Sequence, residues 1–268
     1  MKRFISVILA AVLLLCSVPM AASDTGENTE KAAAALWDYL DVSRFGEKAV
    51  LSADIKPEFD FAVKSVCLIE GKTGTVLYER DSDVRYMPAS VTKVMTLLLV
   101  FEAIDGGKIK LTDEVTASSH AAEMGGTQIY LKPGETMTVE ELIKAVAIPS
   151  ANDAAVALAE YVAGSEDEFV RQMNEKAKTL GLENTNFTNC TGLFDDENHY
   201  TTAYDIAIMS RELIKHEKIF DFTTVWLDSL RDGAFTLANT NKMLRTYNGM
   251  KGLKTGFTKA SKYCFSGV

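Results

Sequence analysis

PASVTKVMTLLLVFEAIDGG, residues 88–107, is apolar on nearly every side from Val91 to Phe101 and closes on Gly106 and Gly107. A run of this length with no polar face predicts a helix over residues 90–104 buried at the centre of a domain. One residue does not fit. Lys93 sits inside the run, three places after Ser90, and a helix brings positions i and i+3 onto one face. S-x-x-K is expected about once by chance in a chain of this length. The pair therefore gains meaning only if other motifs that the same chemistry needs follow in order.

Working outward, the stretch before it reads as two β-rich runs, AVKSVCLIE and TVLYER, around GKTG, which predicts a hairpin over 62–80. After it comes a loop-rich segment, GGTQIYLKPGE, and then a capping box in which Thr138 is the N-cap and Glu141 stands three places on. The helix so opened stops at Pro149. A second runs from Asp153 to Val162 and is closed by Gly164. Ser165 with Glu168 caps a third reaching about Leu180, and a fourth spans Thr202 to Lys215. Beyond it the chain returns to β-like character in FTLANTNKML, GLKTGFT and SKYCFSGV. Strands, then helices, then strands predict an α+β fold in which a helical region is inserted into an antiparallel sheet.

The composition, 47% hydrophobic and 24% charged over 268 residues, is that of an ordinary globular protein. The N-terminus, MKRFISVILAAVLLLCSVPMAAS, joins Lys2 and Arg3 to an apolar stretch and small residues at Ala21 and Ala22, the pattern of a secretory signal peptide. Residues 1–22 are read as that signal, with an uncleaved anchor as the alternative. Residues 23–55, with a short helix around Glu30 to Leu40, are read as an extension, and 56–268 as the main domain. Cleavage removes two positive charges and no acid, which makes a formal charge of −9 more negative still. An acidic exported chain is a poor nucleic-acid binder. Of four cysteines, Cys67, Cys190 and Cys264 remain after the signal, an odd set without metal-ligand spacing. Buried free thiols are preferred over one bridge with a spare, and no metal is expected.

The further motifs exist. S-x-N is Ser150 and Asn152 in the loop PSAND, and K-T-G is Lys254, Thr255 and Gly256 on a late strand. The order S-x-x-K, S-x-N, K-T-G is a known catalytic signature, with Ala151 here in place of its usual Asp. Lys72, Thr73 and Gly74 also spell KTG, but in the predicted hairpin turn upstream of Ser90, so they are a decoy.

Each residue type has a physical task. A serine hydroxyl needs a base, and Lys93 can be one if burial and nearby positive charge, with Lys254 as its source, lower its pKa. Ser150 relays a proton to the leaving group, and Asn152 orients Lys93 and a substrate amide. Lys254 holds a substrate carboxylate, helped by the Thr255 hydroxyl. Gly256 leaves room for substrate along the strand edge. The backbone amides of Ser90 and Phe257 form an oxyanion hole. His199, in DDENHYTTAYD, is read as a surface or capping residue outside this set.

The phrases TGTVLYERDSDVRYMPASVTKVMTLLLVFEAI, GGTQIYLKPGETMTVEELIKAVAIPSANDAAVALAEYVAGSEDEFVRQMNEKAKTLGLENTNF and GLKTGFTKASKYC closely resemble the low-molecular-weight penicillin-binding proteins, the serine-type D-alanyl-D-alanine carboxypeptidases of peptidase family S11. The resemblance implies a penicillin-binding-protein/β-lactamase-like (DD-peptidase) fold. It also implies acylation of Ser90 by the D-Ala-D-Ala end of a peptidoglycan stem peptide, inhibition by β-lactams, no cofactor, and a place outside the cytoplasm in cell-wall biogenesis. Relatives of this kind continue past the KTG strand with further sheet strands, a packing helix, usually a β-rich domain and an amphipathic anchor. Only twelve residues follow Gly256 in the 268-residue chain. It is therefore expected to be truncated, less stable than a complete relative and at risk of inactivity, with membrane attachment reserved for a longer form. The rival readings are a class A-like β-lactamase, a transpeptidase or endopeptidase on the same fold, and a non-catalytic wall-binding protein. No E-x-x-L-N string, the deacylating motif of the lactamases, occurs between Asn152 and Lys254.

Overall fold

The structure is a computed structural model and describes residues 9–11 and 62–268. The 23–55 extension, its helix around Glu30 to Leu40, and all of the signal segment except 9–11 lie outside the described residues. Strand β1 (Leu9–Ala11) pairs antiparallel with β2 (Val66–Glu70), which pairs on its other side with β3 (Val76–Arg80). The turn between β2 and β3 holds the decoy Lys72-Thr73-Gly74. The amides of Lys72 and Thr73 donate to the Glu70 carboxylate, and Gly74 takes the positive φ that the reversal requires.

The central run divides in two. Ala89–Thr92 form a 3-10 turn, and Lys93–Asp105 the helix α1. Val94, Met95, Leu97, Leu98, Val100 and Phe101 are all buried, because α1 is enclosed by α3 (Asn152–Ala163), α4 (Glu166–Thr179), α5 (Ala203–Leu213) and the late strand β8 (Leu253–Thr258). Burying each large apolar side chain contributes about 1.5–3 kcal/mol, so this helix anchors the domain.

Ahead of α3 stands α2 (Val139–Ala147), preceded by a short ladder of β4 (Glu114–Thr116) with β5 (Thr136–Thr138). The capping box is complete. The Thr138 hydroxyl accepts from the Glu141 amide, and the Glu141 carboxylate accepts from the Thr138 amide. Helix α3 ends on Gly164 at φ +90, and Ser165 and Thr202 cap α4 and α5 through the amides of Glu168 and Asp205.

The hairpin of β6 (Leu227–Leu230) and β7 (Phe235–Ala238) follows, turning through Arg231, Asp232 and Gly233, all at positive φ. The first of its strands has no counterpart in the sequence reading, since LDSL is short and half polar. The strand expected in FTLANTNKML stops at Ala238. Last comes the hairpin of β8 with β9 (Lys262–Gly267), in which Gly256 faces Cys264 and Phe257 faces Tyr263. The α+β class holds, with the helical block between hairpins. Among the described residues, β8–β9 and β1–β2–β3 are separate antiparallel ladders.

Candidate active site

The 3-10 turn sets Ser90 against three crowded surfaces. Ala89, just before it, has φ +48, a left-handed conformation that costs a non-glycine residue about 1–3 kcal/mol unless its surroundings impose it. They do. The Thr92 hydroxyl donates to the Ala89 carbonyl at 2.8 Å. Gly192, at φ +70, lies so close that a Cβ there would meet the Ala89 carbonyl oxygen at 1.9 Å. On the other side a Cβ on Gly256 would stand 2.9 Å from the Ser90 amide nitrogen. Glycine at 256 thus brings the β8 backbone onto the turn that carries the serine, one residue before Phe257.

Lys93 opens α1 with its ammonium fully buried. Nζ lies 3.1 Å from Ser90 Oγ, 2.6 Å from Asn152 Oδ1 and 2.9 Å from the Thr191 carbonyl oxygen. Burial brings the Lys93 pKa down to about 7, against the opposing influence of Cys190 and Asp153. Lys254 is also fully buried and pushed well below its ordinary value, by burial first and by Lys93 second. The sequence reading gives burial and the charge of Lys254 as what lowers Lys93; burial is the larger cause, and the two buried lysines lie close enough to repel one another when both are charged.

The geometry suits a neutral amine. Such an amine has two N–H bonds and one lone pair. The Thr191 carbonyl can only accept. The Asn152 amide is oriented by its own Nδ2, which donates to the Gly125 carbonyl at 2.8 Å, so Oδ1 also accepts. In the neutral form these two oxygens take both N–H bonds and leave the lone pair for the Ser90 hydroxyl proton, whereas in the charged form the third N–H points at Ser90 Oγ.

The S-x-N loop arises because Pro149 has no amide proton with which to continue α2. Ser150 then takes φ +76, and Asn152 begins α3, its amide donating to the Thr127 carbonyl at 2.7 Å. Ser150 is buried, and its hydroxyl has no hydrogen-bond partner among the described residues. A buried hydroxyl left so costs about 1–3 kcal/mol, which a bound group can recover. Asn152 Oδ1 accepts from Lys93 Nζ, and its Nδ2 is engaged by the Gly125 carbonyl.

On β8, Lys254 Nζ donates to the Thr255 carbonyl at 2.8 Å, and the Thr255 hydroxyl lies 2.5 Å from that of Thr240. Phe257 is half exposed, its ring tilted against that of Tyr263 with 4.7 Å between ring centres. The structure thus joins Ser90, Lys93 and Asn152 by direct hydrogen bonds. Gly256 is packed against the same turn, and Lys254 lies close enough to feel the charge of Lys93. Ser150, Thr255 and Phe257 make no hydrogen bond to Ser90, Lys93 or Asn152.

Sequence reasoning misses three participants. Thr191 acts through a carbonyl, which every residue has, and Gly192 through a missing side chain. His199, expected at the surface or as a cap, is 1% exposed, and its Nε2 lies 2.8 Å from Thr92 Oγ1. The sequence places it beside polar residues, but the chain folds it against the turn that carries Ser90. Cys67, Cys190 and Cys264 are free thiols, the first two buried. Among the described residues no cluster of His, Cys, Asp and Glu could hold a metal ion, and no helix is long and apolar enough to cross a membrane.

The D-alanyl-D-alanine carboxypeptidase family, peptidase S11, matches residues 51–268. The chain is 47% identical over 270 residues to the D-alanyl-D-alanine carboxypeptidase DacF of Bacillus subtilis, a match covering 99% of this chain and 62% of that protein. It is 35% identical over 222 residues to DacA of Escherichia coli, covering 77% of this chain and 52% of that one. Among solved structures, the D-alanyl-D-alanine carboxypeptidase DacD of Francisella tularensis superposes with a TM-score of 0.74 at 28% identity, over 83% of this chain and 65% of that one. Penicillin-binding protein D2 of Listeria monocytogenes in its ampicillin-bound form does so with a TM-score of 0.71 at 30% identity, over 79% and 86%.

Proposed function

The chain belongs to the D-alanyl-D-alanine carboxypeptidase family, peptidase S11, and from that premise we propose that it removes the terminal D-Ala from peptidoglycan stem peptides through an ester on Ser90. The observation that carries the reading is the buried Lys93 amine, 3.1 Å from Ser90 Oγ with its other two neighbours both acceptors. As Ser90 Oγ attacks the carbonyl carbon of the penultimate D-Ala, its proton passes to the Lys93 lone pair. The developing oxyanion is held by the amides of Ser90 and Phe257. Collapse breaks the peptide C–N bond, and the proton on Lys93 reaches the departing amine through Ser150, whose hydroxyl has no partner among the described residues and is free to bond the bound substrate. Water then gives a proton to Lys93 and attacks the ester, which restores Ser90 and frees the shortened peptide.

Lys254, with the Thr255 hydroxyl, receives the terminal carboxylate, whose charge offsets two lysines buried close together. Gly256 lets the peptide lie along β8. β-Lactams present a strained amide to the same serine and act as inhibitors. We extend the proposal to the layout: a signal over 1–22, an extension over 23–55, a catalytic domain over 56–268, and action outside the cytoplasm. The chain spans about half to three fifths of the curated relatives it matches, and the proposal concerns the whole protein.

The test is release of D-Ala from a stem pentapeptide, with Lys93→Ala and Ser90→Ala as controls. Release by the wild type alone is the expected result. Penicillin acylation without any D-Ala release points to a binder, and rapid turnover of penicillin points to a lactamase.

A further inference from the structure

His199 is a buried titratable group at the site that the proposed mechanism leaves unused, and its surroundings fix both of its nitrogens. Nδ1 faces the Thr188 amide at 3.0 Å and the Asn189 side-chain amide at 3.4 Å, with the Thr188 hydroxyl oxygen at 3.3 Å. A backbone amide can only donate, so Nδ1 must accept. The imidazole proton is thereby assigned to Nε2, and burial keeps the ring neutral, lowering its pKa to about 4. Nε2–H then donates to Thr92 Oγ1 at 2.8 Å, and the Thr92 hydroxyl donates onward to the Ala89 carbonyl at 2.8 Å. All the bonds run in one direction and end on one oxygen.

That oxygen belongs to the Ala89–Ser90 peptide unit. A peptide is planar and trans, so its carbonyl and its amide point in opposite directions. Fixing the Ala89 carbonyl fixes the aim of the Ser90 N–H, which supplies half of the oxyanion hole. The unit also needs fixing, because Ala89 is held at φ +48 against its own preference. We propose that His199 is a positioning residue for the oxyanion hole, holding the Thr92 hydroxyl on the Ala89 carbonyl and so aiming the Ser90 amide. The inference rests on the reading of Ser90 as nucleophile.

The test uses the full chain and benzylpenicillin, with the dissociation constant of the reversible complex measured separately from the first-order acylation constant. His199→Gln places an amide N–H where Nε2–H stands. His199→Asn supplies an acceptor for the Thr188 amide but does not reach Thr92. His199→Asn is expected to slow acylation about 10–100-fold with the dissociation constant within about 2-fold of wild type, whereas His199→Gln recovers to within about 3-fold. Thr92→Val should reproduce the loss and Thr92→Ser should not, and this second pair decides the matter if the histidine variants do not fold. Equal losses in the Gln and Asn variants, or a loss confined to the dissociation constant, overturn the proposal. The Ser90 amide resonance in a proton–nitrogen spectrum tests the same point without chemistry. It should move in His199→Asn and Thr92→Val and keep its wild-type position in His199→Gln, and an unmoved resonance in His199→Asn overturns the proposal. A wild-type chain that takes no penicillin counts against the nucleophile reading, while the amide resonance still decides the positioning.

Discussion

Lys93 is fully buried, and the task of base proposed for it needs an uncharged amine, so the two demands agree. Desolvation disfavours the ammonium, so the pKa falls to about 7, which brings the free amine within reach near neutral pH. The sign follows directly. Below that pKa the base carries its proton and cannot take another, and above it the base is ready. We predict that the first-order acylation constant rises with pH across about 7 and levels off above about 8, until another group titrates. A rate independent of pH between 5 and 9, or one that falls through that range, contradicts a lysine base. The residue types and their order are legible in the sequence, because S-x-x-K, S-x-N and K-T-G are side-chain signals. The role of Thr191 is not, because it acts through a carbonyl. His199 reads as peripheral for a related reason: its value lies in a contact with Thr92 across 107 residues of chain, which local spacing cannot reveal.

Among the elements, the helices are the most readable. The capping box at Thr138 and the stops at Pro149 and Gly164 are local chemistry, and the structure places α2 and α3 within a residue or two of them. The buried run reads as one helix, but its first turn is 3-10, imposed where β8 and Gly192 press on Ala89. Such pressure comes from distant chain and leaves no periodicity to read. β6 escapes a sequence reading because four residues of mixed polarity give no alternation. Two substitutions separate local from tertiary demands. Thr138→Ala removes one cap and should cost about 1 kcal/mol of stability while leaving acylation intact. Gly192→Ala sets a methyl 1.9 Å from the Ala89 carbonyl oxygen and strains a positive φ. It should cost about 2–4 kcal/mol and abolish measurable acylation. Denaturant melts paired with acylation rates check both, and a fully active Gly192→Ala variant contradicts the account of the turn.

At the scale of the whole molecule, the helical block and the β8–β9 hairpin have one shared consequence. They bring Ser90, Lys93, Asn152 and Thr191 together by direct hydrogen bonds and set Lys254 near enough to feel the charge of Lys93. The architecture is legible as α+β from the order of elements. The assembly of the ladders is not, since strand pairing depends on partners far apart in sequence. The central claim is that this assembly makes Ser90 an activated nucleophile. The most direct test is the intact mass of the chain after incubation with benzylpenicillin, beside a Ser90→Ala control. The account predicts one covalent penicillin on the wild type and none on the variant. A folded wild type without an adduct, or an adduct that survives in Ser90→Ala, contradicts it.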